Sequence, residues 1–347
     1  MKILIVGPEF HEKGGRFQSD IAWSFHRALE KRGLAGGFFA YKKRSLLSFI
    51  EKNNGLREWW HRRMNRKLID RVKAERPDLM IVFKGGSVEA EALWEIRRST
   101  RTVIMNVFPD NPLYMMPFKN IEPYHFFFIK DSYALKALSK IGFQNVHYLP
   151  HAADPEVCRP VALTPEEQKQ WGSDLSLIGS LYPYRGFLMR EMEAFDLKIW
   201  GKGWSSLPSD DPIRRRFQGR SVWGEEKTKV ICGSKISLNP HHPLNDITGI
   251  NDRTFDIAAC GGFQLLDRKA DLEKHFKIGE EVVTYGDKKE LIDLIQYYLR
   301  HDEERRKIAE NAYRRILKEH TVEHRVDEIL SIYSTGGSGP SGGARHG

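Results

Sequence analysis

Short apolar runs alternate with amphipathic stretches along the chain. In the first half the apolar runs are KILIVG, GGFFAY, DLMIVF, TVIMNVF, FFFIKD and VHYLP. Between the first two runs, apolar residues recur at helical spacing over residues 20–31, and Gly33 predicts the end of that helix. Strands that are apolar on both faces and alternate with amphipathic helices predict a parallel sheet covered on both sides, as in Rossmann-like domains.

The second half repeats this pattern with the runs DLSLIGS, LKIWGKG, SVWG, KISLNP, GFQLLD and VVTYG, and from Lys288 the pattern is helical. A proline-rich stretch without periodicity, residues 150–165, separates the halves. We therefore predict an α/β fold of two facing Rossmann-type domains with parallel sheets. Their predicted bounds are residues 1–158 and 159–333, and residues 334–347 form a flexible Gly/Ser tail.

Length and composition agree with two globular domains, since the chain has 347 residues of which 40% are hydrophobic. The three cysteines, Cys158, Cys232 and Cys260, show no CxxC or metal-ligand spacing, so we expect neither a disulfide framework nor a zinc site. The N-terminal apolar run is too short for a signal peptide or a membrane span. These features predict a cytoplasmic protein, at most peripheral at the inner face of the membrane. The net charge of +9 favours anionic partners.

Candidate chemistry is densest in residues 239–267, NPHHPLNDITGINDRTFDIAACGGFQLLD. A Gly-bearing loop leads through Asn251, a predicted N-cap, into a short helix that begins near Asp252. The start of a helix presents backbone N–H groups and the positive end of the helix dipole, and Arg253 adds a guanidinium group, which together suit a diphosphate. The alternative is that Asn251 only caps the helix and that Arg253 is solvated.

This stretch resembles the spore-maturation (CgeB-type) branch of group-1 glycosyltransferases, whose pattern is Asn-x-Arg-x-Phe-Glu/Asp-Ile-x-Ala-Cys-Gly. The matching residues are Asn251, Arg253, Phe255, Asp256, Ile257, Ala259, Cys260 and Gly261. The resemblance covers most of residues 175–333, with shorter matches at RPDLMIVFKG, FPDNP and YLPHAADP. It implies a GT-B-like fold in which the C-terminal domain holds a nucleotide-diphosphate sugar, the sugar is transferred, and the last helix crosses back to the first domain.

The resemblance also implies roles for individual residues. Asp256, five residues before Gly261, occupies the position of a Glu that binds the ribose hydroxyls; the alternative is an acid that only serves the helix dipole. A second Glu of many relatives, eight residues earlier, is Thr248 here, so an acidic contact to the donor sugar is absent or comes from elsewhere. Arg185 occupies the position of a cation that reaches the β-phosphate.

Further predicted donor contacts follow the strand ends of the second half. Trp204 or Trp223 could stack on the base, and filling of the core is the alternative for both. Backbone groups near Val222 could contact the edge of the base. The other predicted contacts are Ser180, Tyr182, Gly201, Gly249 and Ile250.

The first half has weaker candidates. Gly14 and Gly15 follow the first strand without a GxGxxG pattern, so the dehydrogenase fingerprint is absent, and they are predicted either to contact the donor or to form a plain turn. Asp110 follows the fourth strand and is the candidate general base if transfer inverts the anomeric centre; an Asx turn before Pro112 is the alternative. His151 is a second catalytic candidate, and Asp131 a secondary one.

No metal or other cofactor is expected, because the adjacent acids Asp210 and Asp211 lack DxD spacing and cationic groups can neutralise a diphosphate. The expected acceptor is a glycan, a lipid-linked glycan or a protein. Residues 42–76 are strongly basic and contain two tryptophans, which suits anionic lipid; a solvated helical face is the alternative. No nucleic-acid module is recognised. The rival functions are a nucleotide-sugar epimerase of the same architecture and a non-catalytic nucleotide-sugar-binding protein.

Overall fold

The computed structural model describes residues 1–9, 21–43 and 54–336. The chain divides into two compact units, of which the first contains Met1–Leu149 and the segment from Val322 on, and the second contains Pro150–Thr321. Each unit has one sheet in which all paired strands are parallel. This architecture confirms the predicted α/β fold of two Rossmann-type domains.

The first unit begins with a strand and ends with the last helix of the described chain. Its strands are β1 (Ile3–Glu9), β2 (Ala35–Lys43), β3 (Leu79–Phe83), β4 (Val103–Phe108), β5 (Phe126–Ile129) and β6 (Val146–Tyr148). Its helices are α1 (Ile21–Lys31), α2 (Asn54–Glu75), α3 (Ala90–Ser99), α4 (Pro112–Met115), α5 (Ser132–Lys140) and, at the end of the chain, α12 (Val322–Ser334), with a 3₁₀ turn at Phe118–Asn120.

The second unit contains the other strands and helices. The strands are β7 (Ser173–Ile178), β8 (Leu197–Trp200), β9 (Ser234–Asn239), β10 (Gln264–Asp267) and β11 (Val283–Tyr285). The helices are α6 (Pro165–Trp171), α7 (Pro183–Arg190), α8 (Gly224–Gly233), α9 (Asp252–Ala259), α10 (Lys288–Tyr298) and α11 (Asp302–Glu319), with 3₁₀ turns at Trp204–Ser206, Pro212–Arg216 and Leu272–Lys274.

In the first unit the strand order is β2-β1-β3-β4-β5-β6. Strand β3 is buried along its whole length, as its unbroken apolar run predicts for a parallel sheet covered on both faces. Helix α12 packs against α1, and Arg32 Nη2 donates to Asp327 Oδ1 at 3.0 Å and to the carbonyl oxygen of Glu323 at 3.2 Å. The crossing of the last helix back to the first domain, which the family resemblance implies, is therefore confirmed.

In the second unit the strand order is β11-β10-β9-β7-β8. Strand β7 pairs with β8 on one side and with β9 on the other, so the order of the strands along the chain reverses at β7. In open parallel sheets such a reversal leaves a crevice outside the carboxyl ends of the strands, and ligands bind there. The fold therefore predicts a ligand site at the carboxyl ends of β7 and β9.

Two details of the second unit differ from the sequence-based expectations. Residues 150–158 lie in the second unit, because the backbone N–H of Ala153 donates to the carbonyl oxygen of His320 at 3.0 Å. The run SVWG is not a strand: Val222 is buried in a cluster with Trp171 and Trp200, and Trp223 precedes the first residue of α8. An apolar run of this length does not distinguish a strand from a loop that packs on the core.

Candidate functional site

Two arginines are anchored where β7 and β9 end. Arg185, on α7, donates from Nη1 to the carbonyl oxygen of Ser180 at 2.6 Å and from Nη2 to that of Pro240 at 2.9 Å. Arg253, on α9, donates from Nη1 to the carbonyl oxygen of Ile178. These carbonyl groups belong to the last residue of β7 or to the loops that follow β7 and β9. Both guanidinium groups therefore lie at the point where the strand order reverses.

Gly179, the residue after β7, allows the two guanidinium groups to lie close to the backbone. A Cβ atom on this residue would lie 2.6 Å from Nη1 of Arg185 and equally 2.6 Å from Nη1 of Arg253. The carbonyl oxygen of Gly179 accepts a hydrogen bond from Trp204 Nε1 at 2.8 Å, and a Cβ on Gly201 would lie 1.9 Å from it. A side chain at Gly201 would therefore overlap the backbone, and one at Gly179 would displace the ends of both arginine side chains.

The charge of the arginine pair is not neutralised by hydrogen-bonded acids. Among the described residues, no carboxylate oxygen lies within ion-pair distance of either guanidinium group. Arg185 is 2% exposed, and burial, followed by the positive charge of Arg253, lowers its pKa to about 9, so it is still protonated at neutral pH. Two adjacent cations in this setting favour a bound anion, which would relieve their repulsion.

Asn251 fixes the start of α9 beside this pair. Its Oδ1 accepts from the backbone N–H of Thr254 at 3.0 Å, as predicted for an N-cap, and its Nδ2 donates to Oδ1 of Asn239 at 3.0 Å. Asn239 in turn donates to Thr254 Oγ1 and to Gln264 Oε1, both at 3.0 Å. This buried network ties the first turn of α9, and with it Arg253, to β9 and β10.

His241 and Asp267 form a pair at the ends of β9 and β10 that the sequence-based reasoning missed. His241 Nδ1 lies 2.7 Å from Asp267 Oδ1, and the backbone N–H of His241 donates to the same oxygen at 2.7 Å. Burial alone would raise the pKa of Asp267, but the hydrogen bond and charge of His241, helped by Lys269, lower it to about 2. Their positions in the sequence could have identified them as candidates, since His241 directly follows one predicted strand and Asp267 ends another.

Buried polar atoms without a partner collect at these strand ends. Arg185 Nε, His241 Nε2 and the hydroxyl of Tyr285 have no hydrogen-bond partner among the described residues. Tyr285 is close enough to both Asp267 and Arg185 to interact with their charges. Because buried polar groups are normally hydrogen-bonded, these three atoms indicate that a ligand or water completes the site.

Asp256 lies one turn further along α9 and is already engaged. Its Oδ2 lies 2.7 Å from Nζ of Lys227, and its Oδ1 accepts from the Cys158 thiol at 3.3 Å. Burial alone would lower the pKa of Lys227, but the charge of Asp256 raises it above its usual range. Lys227 was not predictable as a partner of Asp256, because the segment EEKTKV has the pattern of an ordinary helical face.

Five other predicted contacts of the second unit have defined positions. Trp204 is fully buried, so its ring belongs to the core and the prediction that it stacks on a base is wrong. The side chain of Val222 is likewise buried, whereas Trp223 is 42% exposed. The ring of Tyr182 lies under the guanidinium group of Arg185, with 4.8 Å between Cζ and the ring centre. Ser180 takes part through its carbonyl oxygen, which accepts from Arg185.

The loop before α9 is held by Asp271. The Thr248 hydroxyl donates to Asp271 Oδ2 at 3.2 Å, and the backbone N–H of Asp271 donates to the carbonyl oxygen of Thr248 at 2.9 Å. Gly249 and Ile250 are buried, and the side chain of Ile250 packs in the core. Where the family resemblance implies an acid, this chain therefore has a hydroxyl group that is bonded to a buried acid.

The candidate site residues of the first half follow different strands of the first unit or lie outside the described residues. In the first unit, Asp110 follows β4, and its Oδ2 lies 2.6 Å from Nζ of Lys84. The Asx turn at this site is made by Asn111, which accepts from the backbone N–H of Leu113 at 3.0 Å. Asp131 is buried and caps α5. Gly14 and Gly15 lie outside the described residues.

His151 belongs to the second unit, near Asp252. Desolvation alone would raise the pKa of Asp252, but the charge of His151, with those of Arg253 and Lys227, lowers it. His151 is thus associated with the start of α9 within the second unit, and Asp110 with β4 in the first.

Two kinds of feature are absent from the described ranges. These ranges contain no group of three or more His, Cys, Asp or Glu side chains placed to hold a metal ion. They also contain no helix that is long and apolar enough to cross a membrane.

Sequence comparison finds similarity to one family model and to one bacterial protein. Residues 185–331 match the family described as glycosyl transferase-like. Spore protein CgeB of Bacillus subtilis (strain 168) is 25% identical over 279 residues, which cover 76% of this chain and 85% of that protein. The predicted resemblance to the CgeB-type branch is therefore confirmed, as is the prediction that the chain is a glycosyltransferase.

Structure comparison identifies GT-B proteins of the same fold. A sucrose-phosphate synthase from Thermosynechococcus elongatus is 12% identical, has a TM-score of 0.64, and the match covers 96% of this chain and 99% of that one. HepE of Anabaena, solved in complex with UDP-glucose, is 13% identical, has a TM-score of 0.66, and the match covers 96% and 100%. These matches confirm the GT-B-like fold.

Proposed function

We propose that the second unit binds a nucleotide-diphosphate sugar, with the diphosphate between Arg185 and Arg253, and that the sugar is transferred to an acceptor without a metal ion. The observation that carries this proposal is the pair of neighbouring guanidinium groups at the ends of β7 and β9, neither of which has an ion-paired carboxylate among the described residues. Guanidinium groups bind phosphate oxygens through parallel hydrogen bonds, which suits a diphosphate.

The arginine pair supports metal-independent transfer. A leaving diphosphate develops negative charge, and fixed cations at the site where that charge develops stabilise it without rearrangement. Two arginines and the first turn of α9 supply positive charge on this side. UDP is the first nucleotide to test, because HepE of Anabaena was solved with UDP-glucose and with UDP.

Asp256 is proposed to bind the ribose. Lys227 and Cys158 each occupy one lone pair of its carboxylate, and each oxygen has a second lone pair that can accept from a ribose hydroxyl. In this arrangement Lys227 fixes the orientation of the carboxylate. Trp223, which is exposed, is the remaining candidate for stacking on the base. The backbone near Val222, with Gly201, Gly249 and Ile250, is proposed to line the nucleotide.

Asp110 is proposed as the general base for an inverting transfer, and His151 as a second catalytic group. Asp110 is partly exposed, with 23% of its side chain accessible, so an acceptor hydroxyl can approach it. Lys84 contacts only its Oδ2, which leaves Oδ1 for a proton. The acceptor is proposed to be a glycan, a lipid-linked glycan or a protein.

Helix α2 supports a peripheral contact with anionic lipid at the inner face of the membrane. Of the basic segment 42–76, residues 44–53 lie outside the described part of the chain. Trp59 is 52% exposed, and the guanidinium group of Arg63 lies 5.6 Å from the centre of its ring. The other exposed basic residues of α2 are Arg57, Arg62, Arg66, Lys67 and Lys73. Such a surface attracts acidic headgroups, and its tryptophan suits the interface.

The experiment that tests the function begins with a thermal-shift screen of UDP-, GDP-, TDP-, CMP- and ADP-sugars. The donor that stabilises the protein is then incubated with candidate glycan, lipid-linked and protein acceptors, with and without EDTA. Transfer that survives EDTA supports the proposal, and transfer that EDTA abolishes contradicts its metal independence. An altered sugar that stays on the nucleotide would indicate an epimerase, and binding without any reaction would indicate a non-catalytic binding protein.

A further inference from the structure

The three cysteines, which are far apart in the sequence, lie together in the second unit. Cys158 and Cys260 belong to one buried cluster, Cys232 packs against it, and the sulfur of Cys232 lies 3.4 Å from the carbonyl oxygen of Cys260. Cys158 and Cys260 are each 2% exposed, whereas Cys232 is partly exposed. Of these three thiols, Cys232 is therefore the one that a reagent in solution can reach.

Cys232 lines a cavity of about 510 Å³ at the amino-terminal ends of β9 and β10. The arginine pair of the proposed donor site lies at the carboxyl ends of strands in the same sheet. The cavity therefore lies at the opposite ends of the strands. Gly261 and Gly262 form part of its wall, and a Cβ on Gly262 would lie 2.5 Å from Cγ2 of Ile231. A cavity of this size is typical of sites for small molecules.

The cavity has a positively charged lining. Its lining includes three basic residues, Lys235, Arg305 and Arg306, and one acidic residue among those described, Glu310. Arg305 and Arg306 lie 2.7 and 3.7 Å from oxygens of one carboxylate, that of Asp302, so the two arginines share a single negative charge. Lys235 pairs with Asp174, and Glu310 with Arg314. An excess of positive charge beside Cys232 favours anionic molecules and the thiolate form of the cysteine.

Some neighbouring groups raise the pKa of the Cys232 thiol and others lower it. Its sulfur lies 3.4 Å from the carbonyl oxygen of Cys260 and 3.9 Å from that of Arg159, contacts that favour the neutral thiol. The hydrogen bond with the Cys260 side chain has the larger effect and lowers the pKa of Cys232 to about 7, while it raises the pKa of Cys260. The Cys260 side chain therefore favours the thiolate form of the accessible cysteine, while its own thiol donates to Thr228 Oγ1 at 3.7 Å.

We propose that Cys232 is a modification site that reacts with small anionic disulfides of the glutathione type. The Cys232 thiolate attacks one sulfur of the disulfide, whose S–S bond breaks as a mixed disulfide with Cys232 forms. The other half leaves as a thiolate and takes up a proton from water. The protein sulfur is oxidised, and the released thiol is the reduced product. This inference is independent of the proposed transferase function.

Mass spectrometry of the intact, natively folded chain tests the proposal, with glutathione disulfide as the reagent. We expect one glutathionyl group per chain, located on Cys232 by peptide mapping, absent from Cys232→Ser and retained in Cys158→Ser. The rate should increase with pH through about 7, because the thiolate is the reactive form. Thermal unfolding of each variant checks that it is folded.

A charge comparison makes the test specific for the cavity. Wild type should react several-fold faster with glutathione disulfide than with cystamine, a cationic disulfide, after correction for their rates with a free cysteine peptide. Arg306→Glu should reduce that preference, because it replaces a cation of the lining with an anion. Modification of Cys158 or Cys260 in the folded chain, equal corrected rates for the two reagents, or a native chain that resists a reagent to which the peptide reacts would each overturn the proposal.

Discussion

Nζ of Lys227 lies 2.7 Å from Oδ2 of Asp256, and the two side chains are only 17% and 14% exposed. Removal of one partner from such a pair leaves an uncompensated charge in a largely buried place, which costs about 3 kcal/mol or more. Asp256→Ala should therefore lower the free energy of unfolding, as measured by chemical denaturation. The double variant Lys227→Met/Asp256→Leu should recover most of that loss, and a double variant as unstable as Asp256→Ala would show that the pair is not responsible.

The ribose role of Asp256 is better tested from the side of the ligand, since the substitution also affects stability. Wild type should bind UDP more tightly than 2′,3′-dideoxy-UDP, because a hydrogen bond to a charged group typically contributes about 1.5 to 3 kcal/mol, roughly 10- to 100-fold in affinity. Calorimetry with both ligands measures the difference. If wild type binds UDP but does not distinguish the two, the ribose contact is wrong.

Gly179→Ala tests the packing of the arginine pair. A Cβ would lie 2.6 Å from both Nη1 atoms, so the guanidinium groups must move away from the strand ends. We expect UDP binding to weaken at least tenfold, about 1.4 kcal/mol. Gly86→Ala is the matched control, because nothing lies within 4 Å of its added methyl group. UDP affinity unchanged in Gly179→Ala would contradict the position assigned to the diphosphate.

The two tryptophans should behave in opposite ways. Trp204→Phe removes a donor to the buried carbonyl of Gly179 and should cost about 1 to 3 kcal/mol of stability. Trp223→Ala should change stability by less than about 0.5 kcal/mol, because the side chain is exposed, and should weaken nucleotide binding if its ring stacks on the base. Thermal unfolding and UDP titration of both variants are the measurements. Unchanged UDP binding in Trp223→Ala would exclude stacking there.

Asp110→Asn tests the proposed base. Loss of a general base typically costs ~10² to 10⁴ in rate, so turnover should nearly disappear while donor binding is retained. Asp131→Asn is the matched control at another strand end, where the acid caps α5 and should affect stability rather than chemistry. The configuration of the product is determined by NMR. An inverted product from a fully active Asp110→Asn variant would exclude this residue as the base.

The order of strands and helices was predictable because apolar runs and helical periodicity are local properties of the chain. The cap at Asn251 and the cation at Arg253 were predictable for the same reason, since both belong to one loop-to-helix segment, and Arg185 was found through the family resemblance. The run SVWG was misassigned because Val222 is buried by contacts with Trp171 and Trp200, which are distant in sequence.

Pairs across the sheet were not predictable. Lys227 and Asp256 are 29 positions apart, and His241 and Asp267 are 26 apart, so neither pair leaves a local pattern. The cysteine cluster was missed because the absence of CxxC spacing excludes only local motifs. Cysteines that are far apart in the sequence can still lie close together in the fold. The boundary near residue 158 was displaced for the same reason, since the bond between Ala153 and His320 joins segments far apart in the sequence.

Calorimetry of the arginine variants tests directly whether Arg185 and Arg253 bind the diphosphate without a metal ion. UDP and uridine are titrated into wild type, Arg185→Ala and Arg253→Ala, with and without EDTA, and Arg300→Ala serves as an exposed control in the same unit. We expect wild type to bind UDP equally with and without EDTA, and both site variants to lose about 10- to 100-fold in UDP affinity but to bind uridine like wild type. Equal losses for UDP and uridine, or wild-type binding of UDP that disappears with EDTA, would contradict this expectation.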